Sequence, residues 1–187
     1  MATATVSNRR LTREEYEQLI EQGFFQPGER LELVDGILYE MTPQSSLHAA
    51  GVRGSQEALR PIFSEGYDIR SQLPLALGFD SEPEPDVAVV LGNWRDYSHS
   101  HPTSAILIVE VADSSLLHDR KRKASLYARA GIPEYWLMNL LRRCLEVYRN
   151  PEDGAYTSRT VLREGDSVSP LSRPEAAILV ASLLPRK

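Results

Sequence analysis

The chain has 187 residues, enough for one domain, and its 42% hydrophobic content supplies a sizeable core. With 21 basic against 26 acidic residues the net charge is −5, which argues against a broad, non-specific nucleic-acid coat but leaves room for a local basic groove. The lone Cys144 has no intramolecular disulfide partner and suits a reducing cytoplasm, as a small hydrophobe rather than a nucleophile.

Residues 1–10 are polar, carry no signal-like apolar stretch and read as a flexible tail ahead of a single domain over 11–187. Thr12 with Glu15 forms a capping-box pattern that opens a helix to about Gln22. Gly23 and Pro27-Gly28 break the chain. Leu31–Val34 and Ile37–Met41 flank Asp35-Gly36, a hairpin signal. Ser46 is a candidate cap for a helix running to about Leu59. Tyr67–Leu77 reads as a loosely alternating strand. Glu82-Pro-Glu-Pro is extended by its prolines and feeds the strand Asp86–Leu91.

Asn93–Thr103 is a polar loop. Ala105–Ala112 is the next strand, and its apolar run, Ala105–Val109, is far too short to cross a membrane. Asp113-Ser-Ser precedes a helix that ends at Gly131. Pro133–Asn139 is a further strand, and Cys144–Arg149 with Ala155–Leu162 forms a hairpin around Asn150–Gly154. Ala176–Leu184 is a last short element. The pattern predicts an α/β (α+β) domain with a mixed central sheet flanked by helices and with N- and C-terminal β-hairpins.

Three charges stand at positions where a core residue belongs. Glu110 shares a strand face with Ile106 and Ile108, opposite Leu107, Val109 and Val111, so the strand is central and Glu110 points inward or into a cleft. The alternative is a strand-end glutamate that reaches solvent. In the following helix Leu116, Leu126, Tyr127 and Ala130 form one stripe at helical periodicity, and Asp119 and Lys123 fall inside it. The alternative there is an i, i+4 surface salt bridge. Asp86 opens the neighbouring strand, and Glu84, Asp86 and Glu110 can converge. Two carboxylates on adjacent strands offer hard oxygen ligands suited to Mg²⁺ or Mn²⁺, and a nearby lysine can orient water or neutralise phosphate charge.

This arrangement resembles the PD-(D/E)xK nuclease superfamily and, more closely, the Uma-two family of restriction-endonuclease-like proteins. The matching stretches are Glu32-Leu-Val-Asp-Gly36 through Met41, His48, Glu82-Pro-Glu-Pro-Asp86-Val, Glu110-Val-Ala-Asp-Ser-Ser, Asp119 with Lys123, and Tyr127-Ala-Arg-Ala-Gly-Ile-Pro-Glu-Tyr-Trp136. The superfamily's lysine usually lies two residues after the glutamate, where this chain has Ala112; in the resembled family it has moved to the helix, at Lys123. The resemblance implies a restriction-endonuclease-like fold and Mg²⁺- or Mn²⁺-dependent cleavage of DNA. Asp86 and Glu110 would hold the metal, with Lys123 and Glu32 completing the catalytic set. Glu32 equally fits an exposed hairpin residue, and His48, His99, His101 and His118 show no zinc spacing. Arg120-Lys-Arg-Lys123 and Arg129 are the candidate phosphate contacts. Two rivals remain open: a nucleic-acid-binding or regulatory protein on the same fold without catalysis, and a structural module in which Glu110 and Lys123 form a buried ion pair. The oligomeric state is open, a homodimer included.

Overall fold

The computed structural model describes residues 9–113 and 115–186; most of the expected N-terminal tail, residues 1–8, lies outside them. Thr12 caps α1 (Arg13–Glu21), and its capping box with Glu15 forms as the pattern predicts. The chain then makes the hairpin β1 (Leu31–Val34) and β2 (Ile37–Glu40). Asp35 and Gly36 have φ of 52° and 74°, the left-handed pair that a two-residue hairpin turn needs. Helix α2 (Ser46–Leu59) is capped by Ser45, one residue earlier than expected, whose hydroxyl accepts from the His48 N–H at 3.2 Å.

Among the described residues the main sheet has six strands in the order β3 (Tyr67–Arg70), β4 (Val87–Leu91), β5 (Leu107–Ala112), β6 (Glu134–Asn139), β7 (Cys144–Glu152) and β8 (Ala155–Arg163). Only β5 and β6 run parallel, joined by a helical crossover, so the sheet is mixed. The expected C-terminal hairpin is β7–β8. It extends the sheet instead of standing apart, and its strands run further than predicted, to a tight turn at Asp153-Gly154 with φ of 48° and 77°. Ser167–Val168 and Ile178–Leu179 form a small ladder, β9 and β10, before α5 (Val180–Leu183).

Strand β3 stops at Arg70, well short of the predicted Leu77. Gln72 takes a positive φ of 52° and its N–H bonds the Pro85 carbonyl at 3.0 Å, while Pro74 has no N–H to give a ladder. The crossover helix is interrupted too. It begins as α3 (Leu116–His118), widens into a π-helical turn over Asp119–Lys123 and resumes as α4 (Ala124–Arg129). Such turns add a residue and often occur where side chains must be re-aimed.

Apolar side chains fill both faces of the sheet. Leu107, Val109 and Val111 of β5 pack with Trp136, Met138 and α2 on one face, while Ile108 and Ala112 pack with Tyr127, Tyr135 and Leu137 under α4 on the other. Ile106 lies outside β5 and packs on the first face, not beside Glu110 as strict alternation predicts. α2 sits close to the sheet: a Cβ on Gly51 would lie 2.9 Å from Val111 Cγ1 and 3.2 Å from Met138 Sδ. That close approach sets the start of α2, with His48, beside the ends of β4 and β5. Among the described residues no helix is long and apolar enough to cross a membrane.

Candidate active site

The antiparallel register pairs Val87 with Val109, so its continuation sets Asp86 opposite Glu110 where β4 begins and β5 ends. Each carboxylate reaches across to the other strand's backbone. The Asp86 N–H donates to Glu110 Oε2 at 3.1 Å, and the Val111 N–H donates to Asp86 Oδ2 at 2.8 Å. Glu110 is 3% exposed, which excludes the solvent-reaching alternative.

Lys123 arrives from the π-helical turn. Its Nζ lies 3.0 Å from both Glu110 Oε1 and Glu32 Oε2. Its contacts are therefore not those of an i, i+4 helix salt bridge; Asp119 instead accepts from the Ser115 hydroxyl at 2.5 Å. Glu32 is buried rather than exposed on its hairpin, and its Oε2 also accepts from the Glu84 N–H at 3.2 Å. The structure thus brings Glu32, Asp86, Glu110 and Lys123 together, with Asp119 beside them, at the base of a cleft of about 570 Å³. The hairpin, the start of α2 and the residues from Ser115 to Lys123 form its walls.

Among these described residues four buried carboxylates (Glu32, Asp86, Glu110 and Asp119) face a single buried ammonium. Burial pushes Glu110 up to about 8; Lys123 opposes this and the carboxylates of Asp86, Asp119 and Glu32 add to it. Burial likewise raises Asp119 to about 6. Lys123 is raised well above its ordinary value: burial works against its charge, but Glu110, Glu32, Asp119 and Asp86 outweigh it. It therefore stays an ammonium. Asp86 is held below its ordinary value although burial raises it, because the His48 hydrogen bond and charge and the Val111 N–H dominate.

The sequence reading missed two contributors and gave a third no role. His48, placed there only among the matching stretches, donates from Nε2 to Asp86 Oδ1 at 2.9 Å, and the Gln72 amide reaches the same oxygen at 3.2 Å. Tyr127, counted as an apolar stripe residue, donates to Glu110 Oε1 at 2.6 Å. Only its place on the stripe that carries Lys123 hinted at this. The candidate phosphate-binding run is largely committed elsewhere. Arg120 is bound to Glu146, Arg129 is exposed but bound to Asp35, Lys123 is buried, and Lys121 and Arg122 are exposed. His99 and His101 do not line the cleft; His118 does, with Nε2 3.9 Å from Glu32 Oε1.

Among the described residues no three His, Cys, Asp or Glu side chains form a ready metal cage. Magnesium is commonly held by one or two carboxylates, with water and substrate phosphate completing its shell. The donor set fits that chemistry. Asp86 Oδ2 and Glu110 Oε2 each accept one backbone N–H, which leaves each oxygen a lone pair for a cation.

Comparison with known proteins adds three findings. The model of the Uma2 family, described as "Putative restriction endonuclease", matches residues 13–181. The fold is similar to that of "a putative nuclease belonging to DUF820 from Anabaena variabilis ATCC 29413", with a TM-score of 0.70 and 14% identity over 92% of this chain and 97% of that one. The type IIG restriction endonuclease BpuSI matches 58% of this chain and 12% of its own, at 18% identity and a TM-score of 0.39. No curated protein matches the chain.

Proposed function

The chain belongs to the Uma2 family, and from that premise we propose that it is a metal-dependent endonuclease hydrolysing the phosphodiester bonds of DNA. The observation that carries this reading is the buried Lys123 ammonium, 3.0 Å from Glu32 and Glu110, in a cleft with more carboxylates than cations. Unpaired buried carboxylates are costly, and a divalent cation would neutralise them. Asp86 and Glu110 would hold Mg²⁺ or Mn²⁺, which when bound lowers the pKa of water and polarises a phosphoryl oxygen.

The chain's own groups do the rest. Lys123 keeps its proton, so it acts as a donor and a fixed positive charge and not as a base. In the cleft it orients a water or meets the negative charge that builds on phosphate oxygens. Glu32 shares the lysine with Glu110 and helps to fix it. Tyr127 holds Glu110 from within the core, His48 holds Asp86 from the cleft wall, and Gln72 donates to the same Asp86 oxygen. Each positioning group makes a direct hydrogen bond or ion pair, the kind of support that keeps metal-binding carboxylates in place.

The test is nicking of supercoiled plasmid. The wild type should cut with Mn²⁺ or Mg²⁺ and not with chelator, and Asp86→Ala should not cut. Isothermal titration should show Mn²⁺ binding that Asp86→Ala largely loses. Equal Mn²⁺ binding by the two proteins overturns the ligand assignment, and a wild type inert on DNA with every divalent ion overturns the activity.

A further inference from the structure

The phosphate contacts are expected from the 120–123 run and Arg129, but the arginine that lines the cleft is a different one, Arg30. Arg30 stands immediately before β1, and its carbonyl accepts the Met41 N–H at 2.8 Å, so the hairpin ladder continues to it. Alternation along the strand sets Arg30 on the side of Glu32, and the register sets Tyr39 opposite Glu32. All three line the cleft, where Arg30 is the one arginine among the described residues.

Its electrostatic situation differs from that of the three arginines paired with the sheet's buried glutamates. Arg120, Arg149 and Arg159 each place two nitrogens on a fully buried glutamate. Arg30 is 42% exposed and makes one long contact of 3.4 Å, to Glu84. A guanidinium has five N–H donors in a planar fork, and one contact to Glu84 leaves most of Arg30's available at the cleft it lines. Phosphate is the ligand that such a fork binds with two parallel hydrogen bonds. Arg122 of the π-helical turn lies over the ring of Tyr39 on the same hairpin, 5.5 Å from its centre, which adds a second positive charge beside Tyr39.

Resting on the nuclease reading, we propose that Arg30 clamps a backbone phosphate of the DNA substrate next to the one presented to Lys123, and that Glu84 holds the guanidinium in place until the phosphate displaces it. Arg30 is then a substrate-binding residue, and Glu84 is its competitor as well as its support. A purely structural Arg30–Glu84 pair predicts that both single variants harm the protein alike. The clamp predicts opposite effects on binding.

The experiment is fluorescence anisotropy with a short labelled DNA duplex over a salt series in Ca²⁺ buffer, alongside thermal melts and steady-state nicking with Mn²⁺. Arg30→Ala should weaken binding roughly 10- to 100-fold, the worth of a charge-assisted contact. It should also make the salt slope shallower by about one and raise KM more than it lowers kcat. Arg30→Lys should keep the slope and recover part of the affinity. Glu84→Gln should tighten binding. Unchanged affinity and slope in Arg30→Ala, with a wild type that binds and cuts, overturns the clamp and leaves the nuclease reading standing. Weaker binding by Glu84→Gln that tracks a lower Tm overturns it in favour of a structural pair. A wild type that shows no salt-dependent DNA binding overturns both.

Discussion

Two glutamates of the central sheet, Glu110 on β5 and Glu146 on β7, are 3% and 1% exposed, yet their surroundings shift them in opposite directions. Glu146 is answered in full. Arg120 Nε lies 3.1 Å from Oε2 with Nη2 on Oε1, Arg159 Nη2 lies 2.8 Å from Oε2, and the Tyr148 hydroxyl donates at 2.8 Å. Burial raises its pKa, but those hydrogen bonds leave it below the ordinary value. Glu110 shares one ammonium with Glu32, near Asp86 and Asp119, and is pushed up to about 8. The first environment removes a charge problem and joins the π-helical turn to β7 and β8. The second preserves a charge problem at the base of an open cleft, the one that the proposed cation would relieve.

The largest effect that separates the two regions is expected at Lys123. Lys123→Ala should slow Mn²⁺-dependent plasmid nicking by about 10²- to 10⁴-fold, the usual worth of a positioned proton donor. Lys121→Ala, two residues away but exposed, should only weaken DNA binding, and less so at high salt. Equal rates for the two variants would leave Lys123 no special part in the reaction.

Next in size is the loss of the answered glutamate. Glu146→Gln leaves Arg120 and Arg159 without their carboxylate. Breaking a buried pair costs about 3–5 kcal/mol, and the lower end applies because both guanidiniums can turn toward water. At about 2–4 °C per kcal/mol for a chain of this size, Tm should drop by roughly 6–12 °C while Mn²⁺ affinity is unchanged. A Glu146→Gln protein with the wild-type Tm would show that full pairing does not stabilise this part of the fold.

The two regions were not equally legible in the sequence. Lys123 and Glu110 stood out because a charge inside an apolar stripe or strand breaks its pattern, and Asp35-Gly36 announced its turn through the φ values it permits. Glu146 did not stand out. Leu145-Glu146-Val147 reads as ordinary alternation with the polar residue outward, and its partners lie 26 and 13 residues away. Gln72 joined Asp86 only because the chain leaves β3 early at a positive φ. Tyr127 was hidden by its own burial, since a tyrosine on an apolar stripe gives no sign of where its hydroxyl points. The π-helical turn left no mark in residue spacing. Lys123 still reached Glu110, because a lysine stem is long enough to absorb the added residue.

The smallest effect is the most direct reading of Glu110's charge state, in metal-free buffer. A carboxyl raised to about 8 from an ordinary value of 4.5 keeps in the folded protein a proton that the unfolded chain has released. Wild-type stability should therefore fall as pH climbs from about 4.5 toward 8. Asp119, raised to about 6, adds a decline of the same sign that ends near pH 6. His48, which is also raised, adds one that runs beyond that, but both residues are present in either protein and largely cancel in a comparison. Glu110→Gln imitates the protonated side chain, and Lys123 retains Glu32 at 3.0 Å. Melting curves of the two proteins should nearly coincide at acid pH and separate above pH 6, with the glutamine protein the higher of the two at pH 8. If Glu110 is instead the charged half of a structural ion pair, the order reverses. The wild type then holds its Tm at pH 8, and Glu110→Gln falls by the roughly 3–5 kcal/mol of a broken buried pair, as expected at Glu146.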